Sequence, residues 1–123
     1  YVKKSRKLVR VTQNSTQGHL KGPRGSSNGI PIGNDNFLFI IHYTQYTGRV
    51  RIYNHQFIII DTGKMKIVKS SKKFYFIKPQ TEFVTGMCLD EHNNLIIPFS
   101  VMDRECYITK IQLNHVISTI QKN

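Results

Sequence analysis

The sequence predicts an all-β chain built from two successive antiparallel meanders. Three observations carry that expectation. Runs rich in Ile, Val, Phe and Tyr, such as NFLFIIHYT at 36–44 and NLIIPFSV at 94–101, are bounded by Gly, Asn, Asp and Ser. No stretch keeps a helical period over three turns. The order of strands and turns also repeats after roughly 45 residues, a spacing typical of repeated small sheets.

Taken in order, LVRVT at 8–12 reads as a strand, and QNSTQGHLKGPRGSSNG after it as a long loop. Residues 36–44 and 49–55 form the next two strands. The QYTG link between them places Gly48 where a hairpin needs positive φ. Strands at 57–61 and 65–69, joined by TGK, complete the first meander. In the second, 82–89 (EFVTGMCL, with a bulge at Thr85-Gly86), 94–101 and 106–113 are strands, and DEHNN and MDRE are turns. Leu113, Ile117 and Ile120 recur at helical spacing, but β-branched Val116 and Thr119 suit a fourth strand over 115–120.

Two four-stranded meanders are the signature of propeller blades, here about 36–78 and 82–120 within a β domain at 22–123. A sandwich of the same strands is the competing architecture. Two blades do not close a ring, so the expected object is a partial or truncated propeller within a longer protein. A start at Tyr1 rather than Met fits a processed or excised segment. Open sheet edges would invite pairing between copies.

Charge is uneven. The chain has 18 Lys+Arg against 7 Asp+Glu, a net +11. Lys3, Lys4, Arg6, Lys7, Arg10, Lys21 and Arg24 lie in the first 34 residues, where there is no acid. The arm at 1–21 is read as a solvated basic segment, with nucleic acid as second choice of partner; the many Tyr and Phe could stack bases.

Negative evidence narrows the chemistry. The longest apolar run is Phe37–Ile41, against about 20 residues for a spanning helix, so no membrane partner is expected. Cys88 and Cys106 lack metal or redox spacing and read as buried free thiols of a reducing, intracellular compartment. The five histidines are too scattered for a metal site, and neither a G-x-S-x-G elbow nor a Walker loop occurs. No cofactor is expected. Asn14-Ser15-Thr16 matches a glycosylation triplet without a secretory context.

The polar residues of RVRIYNHQF at 49–57 raise a sharper question. Period-2 alternation puts Arg51, Tyr53 and His55 on one face and Ile52 on the other, while Phe57–Ile60 reads as buried on both faces. GPRGSSNGIPI, NFLFIIHY, RIYNHQFIIID, KSSKKFYF and TEFVTGMCLDEHNNLIIPFSVMDRE follow one another in a familiar order. Over about 22–112 this order resembles a β-propeller module found with bacterial and giant-virus glycosyltransferases. That module is similar in turn to the five-bladed propellers of mannoside phosphorylases and related glycoside hydrolases. Gln56 replaces an arginine of the pattern, Pro98-Phe99-Ser100-Val101 replaces S-F-G-V, and Thr81 stands where the family often has Ile.

The resemblance implies a carbohydrate-associated fold more than it implies catalysis. It maps a glycan or sugar-phosphate site onto Arg24, Ser26, Ser27, Asn28, His42, Tyr53, His55, Glu82 and Asp103. It also implies a glycosyltransferase domain as partner and an intracellular setting, which for a virus is the host cytoplasm or the virion. Each residue has a structural alternative: a backbone-bonded strand-end imidazole for His42, a lysine ion pair for Glu82, a side-chain turn cap for Asp103. The catalytic alternative is a fragment of an active glycoside phosphorylase, hydrolase or glycosyltransferase whose acid lies elsewhere; the third reading is a basic β domain that binds nucleic acid.

Overall fold

A computed structural model describes residues 22–122, and the side chains of 22–120. The basic arm, its strand at 8–12 and the triplet at 14–16 lie outside the described residues. Ten strands and one short helix follow in order: β1 Arg24–Gly25, β2 Ile30–Gly33, β3 Asn36–Thr47, β4 Val50–Asp61, β5 Lys66–Ser70, β6 Glu82–Val84, β7 Cys88–Leu89, β8 Asn94–Val101, β9 Glu105–Gln112, α1 Leu113–Thr119 and β10 Gln121–Lys122. The chain is therefore all-β, in two antiparallel sheets.

The first sheet runs β1-β3-β4-β5-β10, with β2 beside β1 on the same edge of β3. Its centre is the long β3–β4 hairpin, in register from Asn36↔Asp61 to Thr47↔Val50. Gly48 closes this hairpin at φ 61°, the left-handed conformation expected of it. Asn34 and Asp35, at φ 51° and 60°, make the tight β2–β3 turn. The second sheet is centred on β8, which pairs β6 and β7 along one edge and β9 along the other.

Alternation decides which faces meet. Leu38 and Ile40 on β3 pair with Ile59 and Phe57 on β4, and all four are buried. Leu95, Ile97, Phe99 and Val101 are the buried set of β8. These two rows join Val84, Met87, Val116 and Ile120 in one apolar cluster. The chain returns at its end to lay β10 along β5, tying the second meander back to the first sheet.

Several expected elements change shape. Residues 49–55 and 57–61 are one strand, because Gln56 continues the ladder and bonds the Ser71 carbonyl through its own amide. The strand at 82–89 divides into β6 and β7, with Asn28 clamping both backbone groups of Met87 in the gap. The 115–120 segment is not a fourth strand: Leu113–Thr119 is a helix that buries Val116, so tertiary packing overrides β-branched propensity. Part of the expected 13–29 loop is β1, whose Arg24 and Gly25 pair with His42 and Ile41. Cys88 and Cys106 are free but exposed rather than buried, because they pair with Ile96 and Ser100 on the outer face of the second sheet.

The inward and outward rows of this sheet should respond differently to truncation. Ile97 is fully buried, whereas Ile108 is 73% exposed. Ile97→Ala is expected to lose about 2–5 kcal/mol in urea denaturation and Ile108→Ala no more than about 0.5 kcal/mol. Equal losses would contradict this packing.

Candidate functional site

The β3–β4 register sets His42 directly opposite His55, with Thr44 opposite Tyr53. These side chains continue the inner face that Leu38, Ile40, Phe57 and Ile59 occupy further along. Tyr53 and His55 share a buried stretch of the strand as alternation predicted, but Arg51 is exposed near the hairpin end, and the run expected to be buried at Phe57–Ile60 is buried over 57–59 with Ile60 only half-buried. That face looks into the protein and onto the second sheet, not into solvent.

The second sheet meets it with Glu82 and Phe83. Glu82 is fully buried at the start of β6. One of its carboxylate oxygens accepts the Phe76 amide at 2.7 Å; the other accepts Ile77 N at 2.9 Å, Lys78 N at 3.1 Å and Gln80 Nε2 at 3.2 Å. Three successive amides converging on one anion form a nest. The structural partner of Glu82 is therefore main chain, where a lysine side chain was the expectation. The segment so held also bonds β4: Tyr53 N donates to Gln80 O, and His55 and Phe74 exchange both backbone bonds.

His55 is the most confined group. It is fully buried, packed 5.0 Å from the Phe76 ring and 5.8 Å from Phe74, and neither ring nitrogen has a hydrogen-bond partner among the described residues. Its Nε2 stands 3.7 Å from Glu82. Burial is the larger influence and lowers its pKa to about 4; the Glu82 charge opposes this and His42 adds to it.

His42 lies within β3 rather than at its end. Its Nδ1 is 2.6 Å from the Ser26 hydroxyl, so its partner is a side chain and not the expected backbone carbonyl. Burial and then the Arg24 charge lower its pKa. Its ring packs 4.7 Å from Tyr53 and 5.9 Å from Phe83, whose side chain remains 38% exposed. The other polar residues of GPRGSSNG are used structurally. Ser27 bonds both backbone groups of Ile40, and Asn28 holds Met87.

Asp103 sits in the β8–β9 hairpin at φ 55° and caps nothing with its side chain among the described residues. Its neighbour Met102 bonds the Thr81 carbonyl, which brings this turn to the end of the protein where Thr81 bonds Arg51. The capping role that Asp103 was expected to play belongs to Asp90, which accepts from His92 N and Asn94 N. Those bonds, led by Asn94, lower its pKa to about 2.

The expected residues thus separate into three groups. His42 and Tyr53 adjoin Phe83 at a rim shared by both sheets, and Arg24 lies opposite His42 on β1. His55 and Glu82 lie sealed beneath it. Asn28 braces the loop, and Asp103 stands on a turn at the Thr81 end. Phe83 and Ser26–His42 contact were not legible as a unit, because the contact depends on how the two sheets superpose. Among the described residues no cluster of His, Cys, Asp and Glu could hold a metal ion, and no helix is long and apolar enough to cross a membrane.

The histidines should make the protein acid-sensitive. His55 is neutral in the fold down to about pH 4, whereas in the unfolded chain it takes up a proton near the ordinary histidine value of 6.5. Its contribution is therefore complete above pH 6.5 and is lost as pH falls toward 4, a loss of roughly 2–3 kcal/mol by pH 4.5. Urea midpoints between pH 7 and 4.5 should fall in the native protein and fall much less in His55→Phe. Parallel pH profiles would contradict the assignment.

The chain matches no protein-family model, no curated protein and no solved structure.

Proposed function

We propose that this chain is a carbohydrate-associated binding module, two neighbouring vanes of a propeller, that holds a glycan or sugar phosphate and supports a transferase domain without itself being the catalyst. The observation that carries this reading is the rim. β1 and β3 supply Arg24, Ser26 and His42, β4 supplies Tyr53, and the opposite sheet supplies Phe83. Sugar hydroxyls both donate and accept, so the Ser26 hydroxyl and the small accessible edges of His42 and Tyr53, 5% and 9% exposed, suit them, while the exposed Phe83 ring covers an apolar sugar face. Arg24 adds a cation for a phosphate.

A binding role rather than acid–base catalysis is supported by Glu82. A catalytic carboxylic acid must reach a substrate oxygen, and this one is fully buried with four donors already upon it. His55 is equally shut away.

A thermal-shift screen with mannosides, glucosides, nucleotide sugars and phosphate tests the proposal. At least one class should raise the melting temperature, and His42→Ala and Phe83→Ala should each reduce its affinity about tenfold or more, while Ile108→Ala keeps it. No response to any class, or a response that survives both rim substitutions, would overturn it.

A further inference from the structure

A second site lies away from the rim. The segment joining the sheets, β9 and α1 enclose a cleft of about 490 Å³, within the 300–1,000 Å³ range of small-molecule pockets. Its floor is aromatic. Phe57 and Phe74 stack at 5.1 Å, and Phe76 meets Phe74 edge-on at 5.3 Å. Its rim is basic: Lys72 and Lys73 line it beside His115, all three are exposed, and no carboxylate among the described residues lines it. Lys73 holds its ammonium 3.6 Å above the Tyr43 ring. A ring face does not neutralise such a charge, but Tyr43 does not line the cleft, so Lys73 would swing from that ring to meet a headgroup.

We propose that this cleft binds a small amphipathic anion: an aromatic or short acyl body carrying one carboxylate or phosphate. The body would lie against Phe74 and Phe76, where desolvation favours it, and the headgroup would face Lys72 and Lys73. A neutral sugar would leave the two lysines without an anion to pair. The floor is fixed by the protein's own hydrogen bonds. Ser71, at its edge, donates to the Lys72 carbonyl and accepts the Phe57 amide, so the segment is anchored to β4 at that point. The site is independent of the sugar-facing rim and stands or falls without it.

Calorimetric titration of the intact protein with 4-phenylbutyrate, phenyl phosphate and 4-phenylbutylamine tests the inference. The two anions should bind measurably and the amine, with the same apolar body, at least tenfold more weakly. Lys72→Glu with Lys73→Glu, both on exposed side chains, should reduce affinity for both anions at least tenfold and leave the melting temperature nearly unchanged. Amide shifts on adding 4-phenylbutyrate should concentrate in 71–76 and 109–119. Stronger binding of phenyl phosphate than of phenylbutyrate would assign the site to phosphate esters, and the reverse to carboxylates. Equal binding of the amine, affinity that survives the charge reversal, shifts centred elsewhere, or no binding of either anion would overturn the proposal.

Discussion

Everything that distinguishes this protein from a bare pair of sheets depends on the carboxylate of Glu82 inside the nest of Phe76, Ile77 and Lys78 amides. The segment 71–81 has little regular structure and crosses from one sheet to the other with its side chains mostly half-buried or exposed, yet its amides at 76–78 turn inward onto a fully buried carboxylate. Its N–H groups need acceptors there, and a buried amide without one costs about 1–3 kcal/mol. A single side chain satisfies three of them. Because Glu82 also begins β6, opposite Val101, the same residue ties the crossing segment to the second sheet. The bonds of Tyr53 and His55 to Gln80 and Phe74 tie it to the first.

Holding that segment in place arranges the aromatic side chains along it. Phe57, Phe74, Phe76, Phe99 and Tyr107 form a continuous series of rings from β4 to β9, with successive centroids 5.1, 5.3, 4.6 and 5.6 Å apart. Such contacts add to the apolar area they bury. One flank of the series floors the cationic cleft, and the other closes over His55. The acid therefore acts through architecture: it fixes the crossing segment and its rings in place, and the burial those rings give His55 keeps that histidine neutral against the pull of the Glu82 charge. The rim of His42, Tyr53 and Phe83 lies just beyond this sealed region, where the two sheets still adjoin but solvent reaches Phe83.

Much of the fold was legible because it is written in alternation. The even positions of β3 and the odd positions of β4 and β8 name the inner faces, and Gly48 names a hairpin. The shared face of Tyr53 and His55 was legible for the same reason. What the pattern left open was what the face looks toward. Polar residues on a strand suggest a solvent-facing site, but His55 and Glu82 face each other across the interior, and only the stacking of the sheets decides that. The partners of Glu82 were hidden for a simpler reason: main-chain amides carry no sequence signature. The helix at 113–119 was visible as a period in Leu113 and Ile117 and obscured by β-branched neighbours. The exposed cysteines misled because a strand-like run does not say which of its faces is covered.

The most direct test is hydrogen exchange at the amides of Phe76, Ile77 and Lys78, measured in the native protein and in Glu82→Ala. The account predicts strong protection in the native protein, selective loss of that protection at these three amides in the variant, and a stability loss of about 3 kcal/mol or more. Exchange that is already fast in the native protein, or that is unchanged by the substitution, would contradict it.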